Sequence, residues 1–433
     1  MPFTQSLITS HLITPLRGLR PAPGRAAEIA APPYDVLSSD EARQRAFGKP
    51  WSFLHISKPE IDLPADTDPY SPEVYAMAAR NLARMLSAGV LLRDDTPCYY
   101  IYRLTMGQHV QTGLVATASV ADYNSNRIRK HEFTRPDKED DRVRQIEALN
   151  AQTGPVLLAY PASLQADELI ANAAQGTPEA DVTANDGIRH EIWVVRDATT
   201  IDALTRTFDA MEALYIADGH HRSAAASRVA AARRQDGFTL ASDYFLAVIF
   251  PHHQMKILDY NRVVKDLNGL EKLCGAVSSR TALVTRCQTA FTVEKSPTRV
   301  TPSCLGEFGM YLGGKPGESS TGEWYRLTIK TELIPNDPVA SLDVSLLSEH
   351  LLGPLLGITD LRRDKRIDFV GGIRGLTELE KRVDSGEMAA AFALFPTSMQ
   401  QLMNVADSNQ VMPPKSTWFE PKLADGLVSH VLD

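Results

Sequence analysis

The stretch Leu214 to Arg234, LYIADGHHRSAAASRVAAARR, limits the fold more than any other part of this chain. A short apolar run ends at Asp218, a single glycine follows, and an alanine-rich segment begins almost at once. Alanine is the strongest helix former, so a strand must turn sharply at Gly219 and open directly into a helix. The first amides of such a helix lack intrahelical partners and carry the positive end of its dipole, which makes an anion site. Arg222 adds a planar forked donor suited to phosphate or carboxylate. His220 and His221 supply further donors, and Asp218 could hold a cation or orient a histidine. The plainer alternative is that Asp218 only caps the helix and the histidines pack at the strand end.

A chain of 433 residues suggests two to three domains. Its 43% apolar and 23% charged residues are those of a soluble globular protein. A net charge of -8 and a pI near 5.8 argue against broad capture of nucleic acid. The four cysteines, Cys98, Cys274, Cys287 and Cys304, show no CxxC spacing, so neither a zinc site nor a disulfide framework is expected. No signal-peptide pattern is present, and no run reaches the roughly 18 apolar residues of a membrane span. A cytoplasmic location is expected.

Along the chain, residues 71–90 carry apolar positions at helical spacing, and the stretches around 98–104 and 112–120 read as strands. RIRKHEFTRPDKEDDRVRQIEAL turns helical after Pro136; PVLLAYP, HEIWVVRD, YFLAVIFP and MKILDYNRVV read as strands. TALVTRC, FTVEK, GEFGMYLGG and EWYRLTI suggest a β-rich insertion at 276–345, with GGKPGESSTG its most loop-like part. The order helix, RIDFVGG, LTELEKRVDSG, AAAFALFP, MQQLMNVADS then gives a small α/β unit at 346–433. The expected organisation is an N-terminal α/β region over 1–120, a phosphate-binding core over 121–275, that insertion, and the C-terminal unit.

Several motifs carry a resemblance. APPYDVLSSDEAR, KHEFTRPDKEDDR, YIADGHHR, LDYNRVVKDLNG, RIDFVGG and MPPKSTWFEPKL resemble the family known as domain of unknown function 1015, a name that brings no activity with it. The loop at 218–222 is similar to the phosphate-binding box of the ParB/sulfiredoxin superfamily, and its Asp-Gly-His-His-Arg form looks most like the free serine kinases. That resemblance implies a mixed α/β nucleotide-binding core, ATP or ADP with Mg2+, and a free amino acid such as L-serine as acceptor. It implies catalytic roles for Glu132, His220 and Asp218, with Glu132 as the base that takes the hydroxyl proton. Asp137 and Glu139 compete for that role. Gly219, His221, Arg222, Arg135 and Lys138 would hold the nucleotide, although Arg135, Lys138 and Arg142 could instead pair with Glu139, Asp140 and Asp141. Asp218 would hold the metal. Lys415, Ser416 and Thr417 match the serine kinases' terminal Pro-Lys-Thr/Ser-Thr segment and would bind the amino-acid head group, or else form a proline-stiffened terminus. The spacing between the Glu132 and Asp218 motifs is much longer than in compact serine kinases, and the N-terminal region has no counterpart there.

Asp35, in the constrained Pro33-Tyr34-Asp35 loop, is a secondary candidate, and His252-His253 makes a poor shared metal site. Neither a Walker loop nor a dinucleotide fingerprint occurs. A ParB-type DNA-partition or nucleotide-switch protein is the main rival reading. The acidic charge and the lack of a helix-turn-helix after the box count against it. A sulfiredoxin-like reductase would need a cysteine in the box, where histidines stand.

Overall fold

The computed structural model describes residues 11–235, 237–267, 270, 279–313 and 322–433. Two compact units separate: Met1–Met255 together with Pro421–Asp433, and Lys256–Glu420.

The first unit is built on a mixed nine-stranded sheet. In chain order its strands are β1 (Ile13–Thr14), β2 (Tyr99–Met106), β3 (His109–Ser119), β4 (Ile128–Arg129), β5 (Val156–Tyr160), β6 (Ala180–Thr183), β7 (Arg189–Val195), β8 (Leu214–Asp218) and β9 (Tyr244–Pro251). Their spatial order is β4-β8-β5-β9-β3-β2-β7-β6, with β1 added to β3. β5 runs parallel to β9 and antiparallel to β8, and β8 runs parallel to the short β4. β5 is buried along its whole length and β9 nearly so, which explains their unbroken apolar runs. Three helices matter for the site: α1 (Pro72–Ser87), α2 (Pro136–Leu149) and α3 (His220–Arg233). Pro136 opens α2 at a position where its missing N–H costs nothing. α2 packs against both α1 and α3.

The second unit holds a six-stranded sheet of β10 (Tyr260–Val264), β11 (Phe291–Ser296), β12 (Glu307–Leu312), β13 (Glu323–Ile329), β14 (Ile367–Gly371) and β15 (Ala390–Leu394). They lie in the order β11-β13-β12-β15-β10-β14, every pairing antiparallel. Lys256–Leu258 and Trp418–Glu420, where the chain enters and leaves this unit, pair with each other.

This organisation corrects the expected boundaries. Residue 120 does not divide domains, because β3 lies inside the sheet that carries β5, β8 and β9. The 276–345 region is not an insertion apart from its flanks, since β12 pairs with β15 and completes one sheet with β10 and β14. TALVTRC belongs to a helix, α4 (Ser279–Cys287), not a strand. Its buried Ala282, Leu283 and Cys287 share one helical face, a spacing that a short apolar window cannot distinguish from alternation. MKILDYNRVV breaks at Asp259, whose carbonyl accepts the Gly372 N–H at 2.7 Å. Cys274 and most of the GGKPGESSTG loop, 314–321, lie outside the described residues.

Candidate functional site

Gly219 joins β8 to α3 without a spacer, as expected. Its φ of +100° is a conformation that side-chain-bearing residues rarely adopt, and a Cβ there would lie 3.3 Å from the Val156 Cα. No side chain caps α3. The β8–β5 register shifts between Ile216 and Asp218, so the strand is re-aimed just before the turn.

The Lys130–Arg135 loop is fastened across this helix start by both histidines. The main-chain N–H of His131 donates to His220 Nε2 at 3.4 Å, and that of Arg135 donates to His221 Nε2 at 3.0 Å. Each imidazole acts as an acceptor at Nε2, which leaves the proton of the neutral ring on Nδ1. Burial drives His220 well below the ordinary histidine range, His131 down to about 4, and His221 downward as well. Both His131 and His220 are therefore neutral at pH 7. Their rings meet edge to face at 4.5 Å. His220 Nδ1 lies 3.9 Å from the half-exposed Glu132 carboxylate.

The other carboxylates considered for the base are engaged elsewhere. Asp137 is gripped by Arg135 at 2.7 and 3.2 Å. Glu139 accepts from Thr134 at 2.5 Å and lies 3.4 Å from Arg228. Lys138 donates to the Tyr70 hydroxyl at 2.6 Å, while Arg142 pairs with Asp141 and stacks 4.0 Å from the Tyr34 ring. Of the alternative ion pairings, that of Arg142 with Asp141 forms, whereas Arg135 pairs with Asp137 and Lys138 with Tyr70.

Arg222 turns inward. Its guanidinium donates to the Pro155 carbonyl and lies 3.6 Å from Asp218 and 3.8 Å from Asp35. Lys422, from the returning C-terminal segment, reaches Asp218 at 3.3 Å. Against the effect of burial, Lys422 and Arg222 together hold the Asp218 carboxyl well below the usual carboxylate range. Asp218 therefore does not fit as a Mg2+ ligand, because two cations already neutralise it. The donors that do converge are His131, Glu132 and His220, with one ligand atom from each lying within 4.8 Å of the others. Imidazole nitrogens suit zinc-like ions better than magnesium.

Beside Arg222 lies a cavity of about 30 Å³, room for one or two waters, lined by residues including Tyr34, Arg142, Gln145, Arg222 and Asp425. Burial pushes the Asp425 carboxyl up to about 8, against the pull of Arg222. APPYDV, PDKEDDR and DGHHR are thus three sides of one partly buried charge cluster. His131, Lys422 and Asp425 escaped the sequence reading. The available signal for the last two was a charged pair in the otherwise apolar KLADGLVSHVL.

Lys415, Ser416 and Thr417 belong to the second unit. Lys415 has a φ of +60°, the Ser416 hydroxyl donates to the Pro413 carbonyl at 2.6 Å, and the Ser416 carbonyl accepts from Thr397 at 3.0 Å.

A family described as protein of unknown function (DUF1015) matches residues 13–345. The chain belongs to the DUF1015 family. In this DUF1015 member the match stops short of β14 and β15, which complete the second sheet. No curated protein matches the chain. Among solved structures, a conserved hypothetical protein from Pyrococcus furiosus is 14% identical, over 72% of this chain and 94% of that one, with a TM-score of 0.35. A free serine kinase in complex with AMP is 14% identical over 72% and 92%, at 0.36. SbnI with a C-terminal truncation from Staphylococcus aureus is 10% identical over 72% and 86%, also at 0.36. No helix among the described residues is long and apolar enough to cross a membrane.

Proposed function

We propose that the first unit is a small-molecule kinase core of the ParB/sulfiredoxin kind. It binds the phosphates of ATP or ADP at the uncapped start of α3 and passes a phosphoryl group to the hydroxyl of a free amino acid, most readily L-serine. One observation carries this reading: the Glu132 carboxylate stands 3.9 Å from His220, in the first turn of the helix whose amides would hold the phosphates. A base and an anion site are thereby adjacent, as phosphoryl transfer to a hydroxyl requires.

In this reading Glu132 accepts the hydroxyl proton, and His220, itself neutral, orients it through Nδ1–H. His221 and the main chain of Arg135 hold the loop against the helix. Arg222 acts from beneath by fixing Asp218 and Gly219, rather than by gripping the phosphate as its forked shape first suggests. Mg2+ would accompany the nucleotide phosphates.

The test is to incubate the full chain with ATP or ADP, Mg2+ and single hydroxy amino acids and to assay phosphorylated product. Glu132→Gln should lower kcat about a hundredfold with little change in KM. Full activity in that variant removes Glu132 from the role. Nucleotide binding without any product from the wild type overturns the kinase reading.

A further inference from the structure

Arg262, in the middle of β10, is the largest fully buried side chain of the described residues. Nη1 donates to the Tyr260 carbonyl, and the Phe369 ring lies 5.2 Å from the guanidinium carbon. Nε and Nη2 are both buried with no hydrogen-bond partner. Burial pulls the guanidinium down only to about 10, so it stays charged at neutral pH. A buried cation without a counter-charge is costly, and unpaired buried donors are rare in native proteins.

The unpartnered Nε and Nη2 point to a partner of matching shape. In this same chain the Nε/Nη2 edge of an arginine repeatedly grips both oxygens of one carboxylate. Arg20 holds Asp94 this way at 2.7 and 2.8 Å, and Arg189 holds Asp181 at 2.8 and 2.7 Å. Two parallel donors on a rigid plane match a planar two-oxygen anion. Arg262 carries the same fork, buried and without a hydrogen-bond partner. Its neighbour Asn261 falls on the opposite face of the strand, where its side chain accepts from Leu394 N at 3.0 Å and donates to Asp259.

The surroundings add charge and flat walls. Tyr260 shares a face with Arg262, two positions along β10. Its ring lies 6.0 Å from Phe369 and 5.3 Å from Trp418, and Lys415 Nζ sits 5.7 Å from it. We propose that the second unit contains a carboxylate-binding site in which Arg262 holds both oxygens of a small-molecule carboxylate on Nε and Nη2. Lys415 adds positive charge nearby. This goes beyond the kinase reading, since it uses neither Glu132 nor the Asp-Gly-His-His-Arg loop.

The experiment is thermal denaturation and calorimetry of the full chain with L-serine, succinate, acetate or inorganic phosphate. At least one carboxylate should raise the wild-type melting temperature by about 2 °C or more at saturation. Arg262→Lys keeps the charge and loses the fork, Arg262→Met loses both, and each should weaken that binding about tenfold or more. Glu132→Gln should keep the shift whatever becomes of the kinase activity. Without ligand, Arg262→Met should melt no lower than the wild type, because it removes an unmatched charge. No shift with any of the four probes overturns the proposal, as does a shift that survives in both arginine variants. Stabilisation by phosphate alone replaces the carboxylate with a phosphoryl ligand. A marked loss of ligand-free stability in Arg262→Met makes the residue structural.

Discussion

Arg222 and Arg262 are both guanidiniums withdrawn from water, and both sit in motifs that mark the family. They differ in what surrounds them. Arg222 finds a carbonyl and two carboxylates within its own unit. Arg262 finds one carbonyl and an aromatic ring, and keeps two donors idle. A matched buried charge fixes backbone, so Arg222 holds the Gly219 turn in place for the helix above it. An unmatched one stores an unmet demand, which the fold tolerates where something from outside meets it. The arginine at the glycine turn is thus engaged within its own unit, and the one in mid-strand keeps a fork that matches a carboxylate.

The comparison breaks most easily at Arg222. Arg222→Ala removes a nearly buried guanidinium from between two partly exposed carboxylates, Asp218 and Asp35, which should cost about 3 kcal/mol, the low end for a buried pair. Urea denaturation should show a loss of that size, and Arg222→Lys should restore only part of it, since one ammonium cannot meet three acceptors in different directions. A stable Arg222→Ala protein that simply fails to bind nucleotide would return Arg222 to the role of phosphate clamp.

The second test concerns the imidazoles that fasten the Glu132 loop. His131 has a folded pKa near 4 against about 6.5 for an unfolded histidine. Between those values the unfolded chain takes up a proton and the folded chain does not, so stability falls as pH drops from about 6.5 to 4. The effect is up to about 3 kcal/mol from this one group. His131→Asn lacks that loss. The stability difference between wild type and variant should therefore shift in the variant's favour across this window and stay flat above it. A difference independent of pH would mean that His131 is not held neutral.

The smallest effect is expected at Lys415. Its φ of +60° is easier for glycine, so Lys415→Gly should change stability by no more than about 1 kcal/mol. If its charge assists the carboxylate proposed at Arg262, the same variant should weaken binding of that carboxylate several-fold while leaving nucleotide affinity alone. Unchanged carboxylate binding with lowered stability would make this turn structural and leave Arg262 to act without it.

Much of the backbone was legible from local pattern. The helix read near 71–90 appears as Pro72–Ser87, the strands PVLLAYP and YFLAVIFP appear as β5 and β9, and the Gly219 junction has the expected form. Each is decided by residues adjacent in sequence. What escaped depends on partners far away in the chain. Whether Arg222 points at solvent or at Asp35 is set by a loop nearly two hundred residues earlier, and no spacing rule encodes that. The same holds for Lys422 on Asp218, for β12 pairing with β15 across a supposed boundary, and for Arg262, whose anomaly is an absence. The family signature LDYNRVV marked the strand without saying which of its side chains lacks a partner.

The first unit is closed by the last thirteen residues of the chain, Pro421–Asp433, after the whole of the second has intervened. Those residues bring Lys422 to Asp218 and Asp425 to the cavity, and they pair His430 with Gln152 beside the sheet. During synthesis, the loop that would meet the phosphates is therefore exposed from the ribosome long before its counter-ion is made. The polypeptide can assemble the sheet around β8 early, but Asp218 and Arg222 acquire their full set of neighbours only after residues 421–433 have been made. A message truncated before Lys422 would yield two nearly whole units, one of them lacking one of the two cations beside its central acid.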